Sequence, residues 1–119
     1  MKYLCLIYLN EDEMEALPAE EMNRLNKGHL ALNDDLRRSG HFIEADALEP
    51  SKTMATVRLR DGKVQVRDGP FTETKELVAG FYLVEARDRD EAIEIATRFP
   101  SAPYARIEVW PTRELLVTD

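Results

Sequence analysis

Two segments of the chain carry apolar residues at nearly every position. Residues 3–9 place apolar or aromatic side chains on both alternating faces of an extended chain, and residues 78–84 repeat this pattern around a glycine. A strand with one solvated face alternates apolar and polar residues, whereas a strand buried on both faces does not. The pattern therefore predicts two central strands whose two faces are both covered.

The region after the first strand contains a long amphipathic helix. Apolar residues recur at spacings of three and four beyond Pro18, which suits the first turn of a helix, and Gly40 ends the helix after about Ser39. His29 lies at the centre of the apolar face. The acidic stretch 10–15, which precedes the helix, is predicted to be a solvated connection.

Three shorter elements complete this part of the pattern. Residues 41–48 alternate irregularly and are predicted to form a strand, and residues 106–110 alternate regularly as the last strand. A second helix is predicted between them, because Asp88 and Glu91 form a capping box at its start. This helix is expected to end at about Phe99.

A β-hairpin is predicted in the middle of the chain. Residues 55–60 and 63–67 both alternate, and Asp61 and Gly62 between them favour a two-residue turn. One face of the ribbon is then formed by Val57, Leu59, Val64 and Val66, and the other face is exposed to solvent.

The order of elements is β-α-β, a hairpin, and then β-α-β, within one domain over residues 1–119. This order predicts an α+β fold of the ferredoxin-like type. Two helices cover only one face of its sheet, although both central strands are apolar on both faces. We therefore predict a homodimer in which a second copy covers the other face.

Composition excludes several classes of protein. The net charge is −7 and the 16 Lys and Arg residues form no run longer than Arg37-Arg38, so nucleic acid is not an expected partner. No segment approaches the roughly 20 apolar residues that span a bilayer, and the apolar start passes directly into acidic residues without a cleavage site. The single cysteine, Cys5, lies inside a predicted strand and cannot form an internal disulfide bond, so a reducing cytoplasm is the expected location.

The candidate catalytic residues are His29 and Asp68. The chain has 2 histidines, no metal-ligand spacing and no phosphate-binding or dinucleotide motif, so neither a metal nor a cofactor is predicted. An imidazole on an apolar face is costly unless its nitrogens are used, although a backbone carbonyl or a water could satisfy it in a core. Asp68 could orient His29 or accept a proton, but an aspartate before Gly-Pro is also an ordinary turn residue.

The loop that follows Asp68 is unusually polar for a connection between strands. Its charged residues are either an exposed rim or the mouth of a pocket. Tyr82, on the next strand, could donate its hydroxyl into such a pocket, although packing is the usual role of an aromatic residue in a strand. The candidate ligand-binding residues are Phe71, Thr74, Lys75, Glu76 and Tyr82.

Nearly the whole sequence resembles a known family. Residues 68–71 (Asp-Gly-Pro-Phe), 74–76 (Thr-Lys-Glu) and 80–83 (Gly-Phe-Tyr-Leu) resemble the YciI-like, or YCII-related, family, in the branch named for its Asp-Gly-Pro-Phe motif. The resemblance implies a ferredoxin-like subunit that dimerises into an α+β barrel. It places the family's pocket histidine on His29 and the motif aspartate on Asp68. Residues 33–35 (Asn-Asp-Asp) depart from the apolar or small residues that are typical there.

The resemblance also guides the functional prediction. Members are suspected of acting on small molecules, one line is linked to elimination chemistry on substituted aromatic rings, and this branch is associated with extracytoplasmic-function sigma factors. We therefore predict a cytoplasmic dimer that binds a small polar or aromatic metabolite, with an elimination or isomerisation that uses His29 and Asp68. The alternative is a non-catalytic regulatory or protein-interaction module. A cavity reaching both residues would favour the first hypothesis.

Overall fold

The computed structural model describes residues 1–70 and 75–118. Its strands are β1 (Lys2–Asn10), β2 (Phe42–Ala47), β3 (Ala55–Arg60), β4 (Lys63–Asp68), β5 (Glu76–Glu85) and β6 (Arg106–Pro111). Its α-helices are α1 (Glu11–Glu15), α2 (Ala19–Arg38) and α3 (Arg89–Thr97). The prediction of a mixed α+β fold is confirmed, and every predicted strand and helix is present.

The main sheet has the strand order β2-β5-β1-β6, and each neighbouring pair is antiparallel. The two strands predicted to be central, β1 and β5, occupy the middle of the sheet. Helix α2 connects β1 to β2, and α3 connects β5 to β6. Each helix therefore joins two strands that a third strand separates.

The hydrophobic core lies between one face of this sheet and the helices α2 and α3. Alternate residues of β1 and β5 point into it and meet apolar side chains from both helices. The fully buried side chains include Cys5, Leu36, Val84, Ile95 and Phe99. Burial raises the pKa of the Cys5 thiol to about 11, so this cysteine is an inert part of the core.

The start of α3 shows that its predicted cap is correct. The Asp88 side chain accepts a hydrogen bond from the Glu91 backbone N–H at 2.9 Å, while a Glu91 carboxylate oxygen accepts from the Arg87 N–H at 2.9 Å. The Glu91 N–H, one of the backbone donors that a helix leaves unpaired at its N-terminus, is thereby satisfied. The return bond of the box falls one residue earlier than in the usual pattern.

The acidic stretch predicted as a connection is instead the short helix α1. Asn10 caps this helix by accepting from the Glu13 N–H at 3.0 Å, and Glu11, Asp12 and Glu13 occupy its first turn. Negative side chains are favourable next to the partial positive charge of a helix N-terminus. The same charges that suggested solvated coil therefore also suit a helix start.

The β3–β4 hairpin has the predicted register and turn. Asp61 and Gly62 have φ angles of 51° and 73°, which the two-residue turn requires. Both faces of the ribbon are exposed, however, and not one face alone. The apolar face, formed by Val57, Leu59, Val64 and Val66, is between 64% and 70% exposed.

No helix in the described part of the chain is long and apolar enough to cross a membrane. Within the same residues, no group of three or more His, Cys, Asp or Glu side chains is placed to hold a metal ion.

Candidate functional site

A cavity of about 600 Å³ lies between α2 and the sheet, on the side of the β2 and β5 strands. This volume is in the range of sites that bind small molecules. The sheet wall is made partly of small residues, among them Ala45, Ala47, Ala79 and Gly80. Short side chains on the strands leave space beneath a helix that larger residues would fill. The remaining wall comes from α1, α2, the segment that follows β2 and the residue Ser101 beyond α3.

Gly80 permits the close approach of the two strands at this wall. A Cβ atom at this position would lie 2.9 Å from the backbone oxygen of Asp46 and 3.4 Å from Cα of Ala47. The first distance is shorter than a normal van der Waals contact, so any larger residue would push β2 away from β5. The shape of the cavity therefore depends on a glycine at this position.

His29 is part of the cavity wall, and both of its ring nitrogens are in hydrogen-bond reach of a hydroxyl group. Nδ1 lies 2.8 Å from the Tyr82 hydroxyl, and Nε2 lies 3.2 Å from Oγ of Ser101. Tyr82 and Ser101 also line the cavity, and both are buried. Three groups that can donate and accept protons thus form one connected chain at the cavity wall.

Aromatic packing fixes the position of this chain. The Tyr82 ring stacks on Phe99 with ring centroids 4.3 Å apart, and the His29 ring lies 5.8 Å from the Tyr82 ring and 6.4 Å from the Phe99 ring. Contacts of this kind limit the rotamers of all three side chains. The hydroxyl of Tyr82 is therefore held towards His29 before any ligand enters.

Burial keeps His29 and Tyr82, the two titratable members of this hydrogen-bonded chain, neutral near pH 7. It lowers the pKa of His29 below its ordinary value and raises the pKa of Tyr82 to about 12. A neutral imidazole has one nitrogen that donates and one that accepts. His29 can therefore accept a proton on one side and release one on the other, as an acid/base catalyst requires.

Asn33 adds an unsatisfied polar atom to the same side of α2. It lies one turn beyond His29 and lines the cavity, and its Oδ1 is buried without a hydrogen-bond partner among residues 1–70 and 75–118. Buried polar atoms are nearly always paired in folded proteins. Of residues 33–35, which the sequence analysis singled out, only Asn33 lies in the cavity wall.

The structure brings together some of the predicted site residues and not others. Tyr82 contacts His29, as described above. Asp68 is exposed at the end of β4, where it pairs with Ala55, and it does not line the cavity. No hydrogen bond joins it to His29 in the part of the chain that the structure describes.

The other predicted ligand-binding residues also lie apart from His29 or outside the described residues. Lys75 and Glu76 are exposed at the start of β5 and do not line the cavity. Phe71 and Thr74 fall outside the described residues. The second histidine, His41, is half-buried and hydrogen-bonded to Glu91 at 3.1 Å.

Sequence reasoning did not identify Ser101. The residue follows Pro100, beyond the end of α3, and belongs to no periodic pattern or motif. Its relevance comes from its burial, since it is 4% exposed, and from its contact with a histidine far away in the sequence.

Comparison with known proteins supports the YCII-related family, without its Asp-Gly-Pro-Phe branch. The profile of the YCII-related domain matches residues 1–115 of this chain. An uncharacterised protein of Rhizobium meliloti (strain 1021) is 34% identical over 102 residues, which are 86% of this chain and 82% of that protein. The profile match thus extends over all three α-helices and all six strands.

Proposed function

Because the chain belongs to the family of YCII-related domains, we propose that it binds a small molecule in the cavity beside His29 and transfers protons to or from it. The observation that carries this proposal is the chain of Tyr82, His29 and Ser101 at the wall of a cavity of about 600 Å³. A histidine that only filled the core would also need partners for its nitrogens, but it would not need an adjoining cavity.

The proposed mechanism uses one tautomer of His29. Its Nε2–H donates to Ser101, which leaves Nδ1 free to accept the proton of the Tyr82 hydroxyl. The ligand gives a proton to the Tyr82 oxygen while the Tyr82 hydroxyl gives its own proton to Nδ1 of His29. The ligand is thereby deprotonated and no tyrosinate forms. The reverse transfer protonates the product, so the pair suits an elimination or an isomerisation. Ser101 is a positioning residue in this scheme.

The proposal can be tested before a substrate is known. Metabolites are screened by thermal shift, and each hit is then incubated with the protein in D₂O while its C–H signals are followed by proton NMR. We expect exchange of one C–H proton with the wild type and none with His29→Ala. His41→Ala is the matched control, because His41 does not line the cavity. Exchange that persists in His29→Ala would remove the histidine from the mechanism.

The role of Asp68 remains a prediction that the same assay tests. If Asp68→Asn lowers exchange while hits still bind, the motif aspartate takes part in the reaction. Equal rates in wild type and variant would assign Asp68 to the turn alone, together with Gly69, whose φ of 79° favours glycine.

We also propose that the subunit is ferredoxin-like and dimerises through its open sheet face. The strand order and the two helical crossovers support this assignment. Leu4, Leu6, Phe81 and Leu83 on that face remain half-buried, and Trp110 is 55% exposed. Light scattering should give the mass of a dimer for the wild type and of a monomer for Leu6→Lys. Thr97→Lys, at an exposed position of α3, is the control that should remain dimeric.

One observation favours a second candidate function, a protein-interaction module, for which the family resemblance suggests an extracytoplasmic-function sigma factor as the partner. The apolar face of the β3–β4 hairpin is exposed, and an exposed apolar face of this kind is typical of a surface that binds another protein. Direct titration with the sigma factor should then show binding that Val57→Asp abolishes and Arg58→Asp, on the other face, alters less. Equal binding by all three proteins would exclude the apolar face as the contact.

A further inference from the structure

The ionisable residues around the cavity carry charges of one sign. Four acidic residues line it, namely Glu11, Glu15, Asp46 and Glu49, and no Lys or Arg occurs among the described lining residues. Asp46 contributes its backbone, because it pairs with Phe81 and its side chain therefore lies on the open face of the sheet, so the carboxylates of the cavity are those of Glu11, Glu15 and Glu49. Residues 71–74 and 119, which lie outside the described ranges, also contain no Lys or Arg. Lys75 is exposed and is not part of the wall.

These carboxylates are not neutralised by neighbouring cations. None of the three forms an ion pair with another residue in the described part of the chain. Glu11 is held in place, since its two oxygens accept from the Ser51 N–H at 2.8 Å and the Ser51 hydroxyl at 3.0 Å. Glu15 and Glu49 are exposed, so the electrostatic field of their carboxylates acts at the mouth of the cavity and is screened by salt.

The interior of the cavity is mainly apolar. Leu9, Met14, Met22, Leu25 and Val78 contribute to its wall, and methionine side chains adapt to ligands of different shape. The polar groups within it are neutral, because burial lowers the pKa of His29 and raises the pKa of Tyr82 to about 12. An anion that entered would lose its hydration without meeting a positive charge.

We infer that the cavity selects a ligand with an apolar or aromatic body and a protonated amine, and that it rejects carboxylates and phosphates. The body fills the space between α2 and the sheet, while the ammonium group stays near the carboxylates of Glu11, Glu15 and Glu49 at the mouth. This inference rests on the proposed function, because it takes the cavity to be the ligand site, and it narrows the class of ligand.

Three probes of similar shape test the inference: 2-phenylethylamine, 2-phenylethanol and 3-phenylpropanoate. Each is titrated at pH 7.5 and low salt into ¹⁵N-labelled protein, and the shifts of residues around His29 are followed by NMR. We expect the amine to bind at least about tenfold more tightly than the carboxylate, with the alcohol between them. The difference should shrink at about 0.5 M salt, where exposed charges are screened within a few ångströms.

A pair of double variants separates the local charges from the net charge. Glu15→Gln with Glu49→Gln removes two carboxylates from the cavity, whereas Glu20→Gln with Glu94→Gln removes two exposed carboxylates elsewhere. The preference for the amine should fall in the first variant and persist in the second. A preference that is unchanged in the first variant would overturn the inference.

The remaining outcomes also distinguish the two proposals. If the carboxylate binds as tightly as the amine at the same residues, the charge selection is wrong and the cavity is still the ligand site. If none of the probes binds, the inference is again overturned, and the metabolite screen with His29→Ala decides separately whether the cavity binds any ligand.

Discussion

Tyr82→Phe is the most direct test of the hydrogen-bonded chain at the cavity wall. The substitution removes a single oxygen, which lies 2.8 Å from Nδ1 of His29, and keeps the ring that stacks on Phe99. Tyr82 is 3% exposed, so the lost bond is a buried one. The variant therefore reports on the hydrogen bond rather than on packing.

The expected cost follows from the burial of the two partners. Leaving a buried polar group without its partner costs about 1–3 kcal/mol. His29 is only half-buried and borders the cavity, so water can replace the missing hydroxyl. We therefore expect a loss at the lower end, about 1 kcal/mol, which corresponds to a decrease in Tm of roughly 3–6 °C for a domain of this size.

Urea unfolding at pH 8 measures this loss, because an ordinary histidine is neutral at that pH in the unfolded chain as well. The slope of the free energy of unfolding against urea should be the same as in the wild type. Tyr104→Phe is the matched control. Its hydroxyl donates to Glu21 at 3.1 Å, but the residue is 40% exposed, so the loss should be smaller.

The ¹⁵N chemical shifts of the His29 ring give a second readout, since they report which nitrogen carries the proton. Loss of the Tyr82 hydroxyl should move the shift of Nδ1. A variant with wild-type stability and unchanged ring shifts would refute the proposed bond. A loss well above 3 kcal/mol would show that the ring packing had changed, so that the bond had not been tested in isolation.

Three further substitutions test other parts of the structure. Because burial lowers the pKa of His29, the unfolded chain takes up a proton at a higher pH than the folded chain. Above about pH 6.5 His29 is neutral in both states, and the free energy of unfolding then decreases as the pH falls through the folded pKa. His29→Gln should therefore lose less stability than the wild type between pH 8 and pH 5 in urea unfolding, and an equal loss would contradict this. Gly80→Ala should cost about 1–3 kcal/mol, since the new Cβ would lie 2.9 Å from the Asp46 backbone oxygen; an unchanged Tm would show that the strands adapt freely. Asp88→Ala should lower the free energy of unfolding by about 1 kcal/mol through loss of the α3 cap, while Asp90→Ala, whose side chain makes no cap bond, should cost less.

Much of the fold could be predicted from the sequence because its signals are local. The two-residue turn of the hairpin depends on Asp61 and Gly62, and the start of α3 depends on Asp88 and its neighbour three residues later. The helix at 11–15 was missed for a related reason: its acidic residues are as compatible with a helix start as with a solvated coil.

The site was only partly predictable. His29 on the apolar face of α2 followed from helical periodicity, and Tyr82 was one of two candidates on β5, the other being Glu76. The exposure of the apolar face of the hairpin could not be foreseen, because alternation shows which residues share a face and does not show what covers that face.

The sequence by itself thus determined the order of the elements, the central position of β1 and β5, and the side of α2 that carries His29. Only the tertiary structure decided the partners of that histidine, because Tyr82 and Ser101 are separated from it by 53 and 72 positions along the chain. Their meeting depends on the register of β5 in the sheet and on where the chain turns after α3. The cavity depends likewise on small residues from two strands that face one helix. The spacing of residues within a single element does not show which elements will face each other.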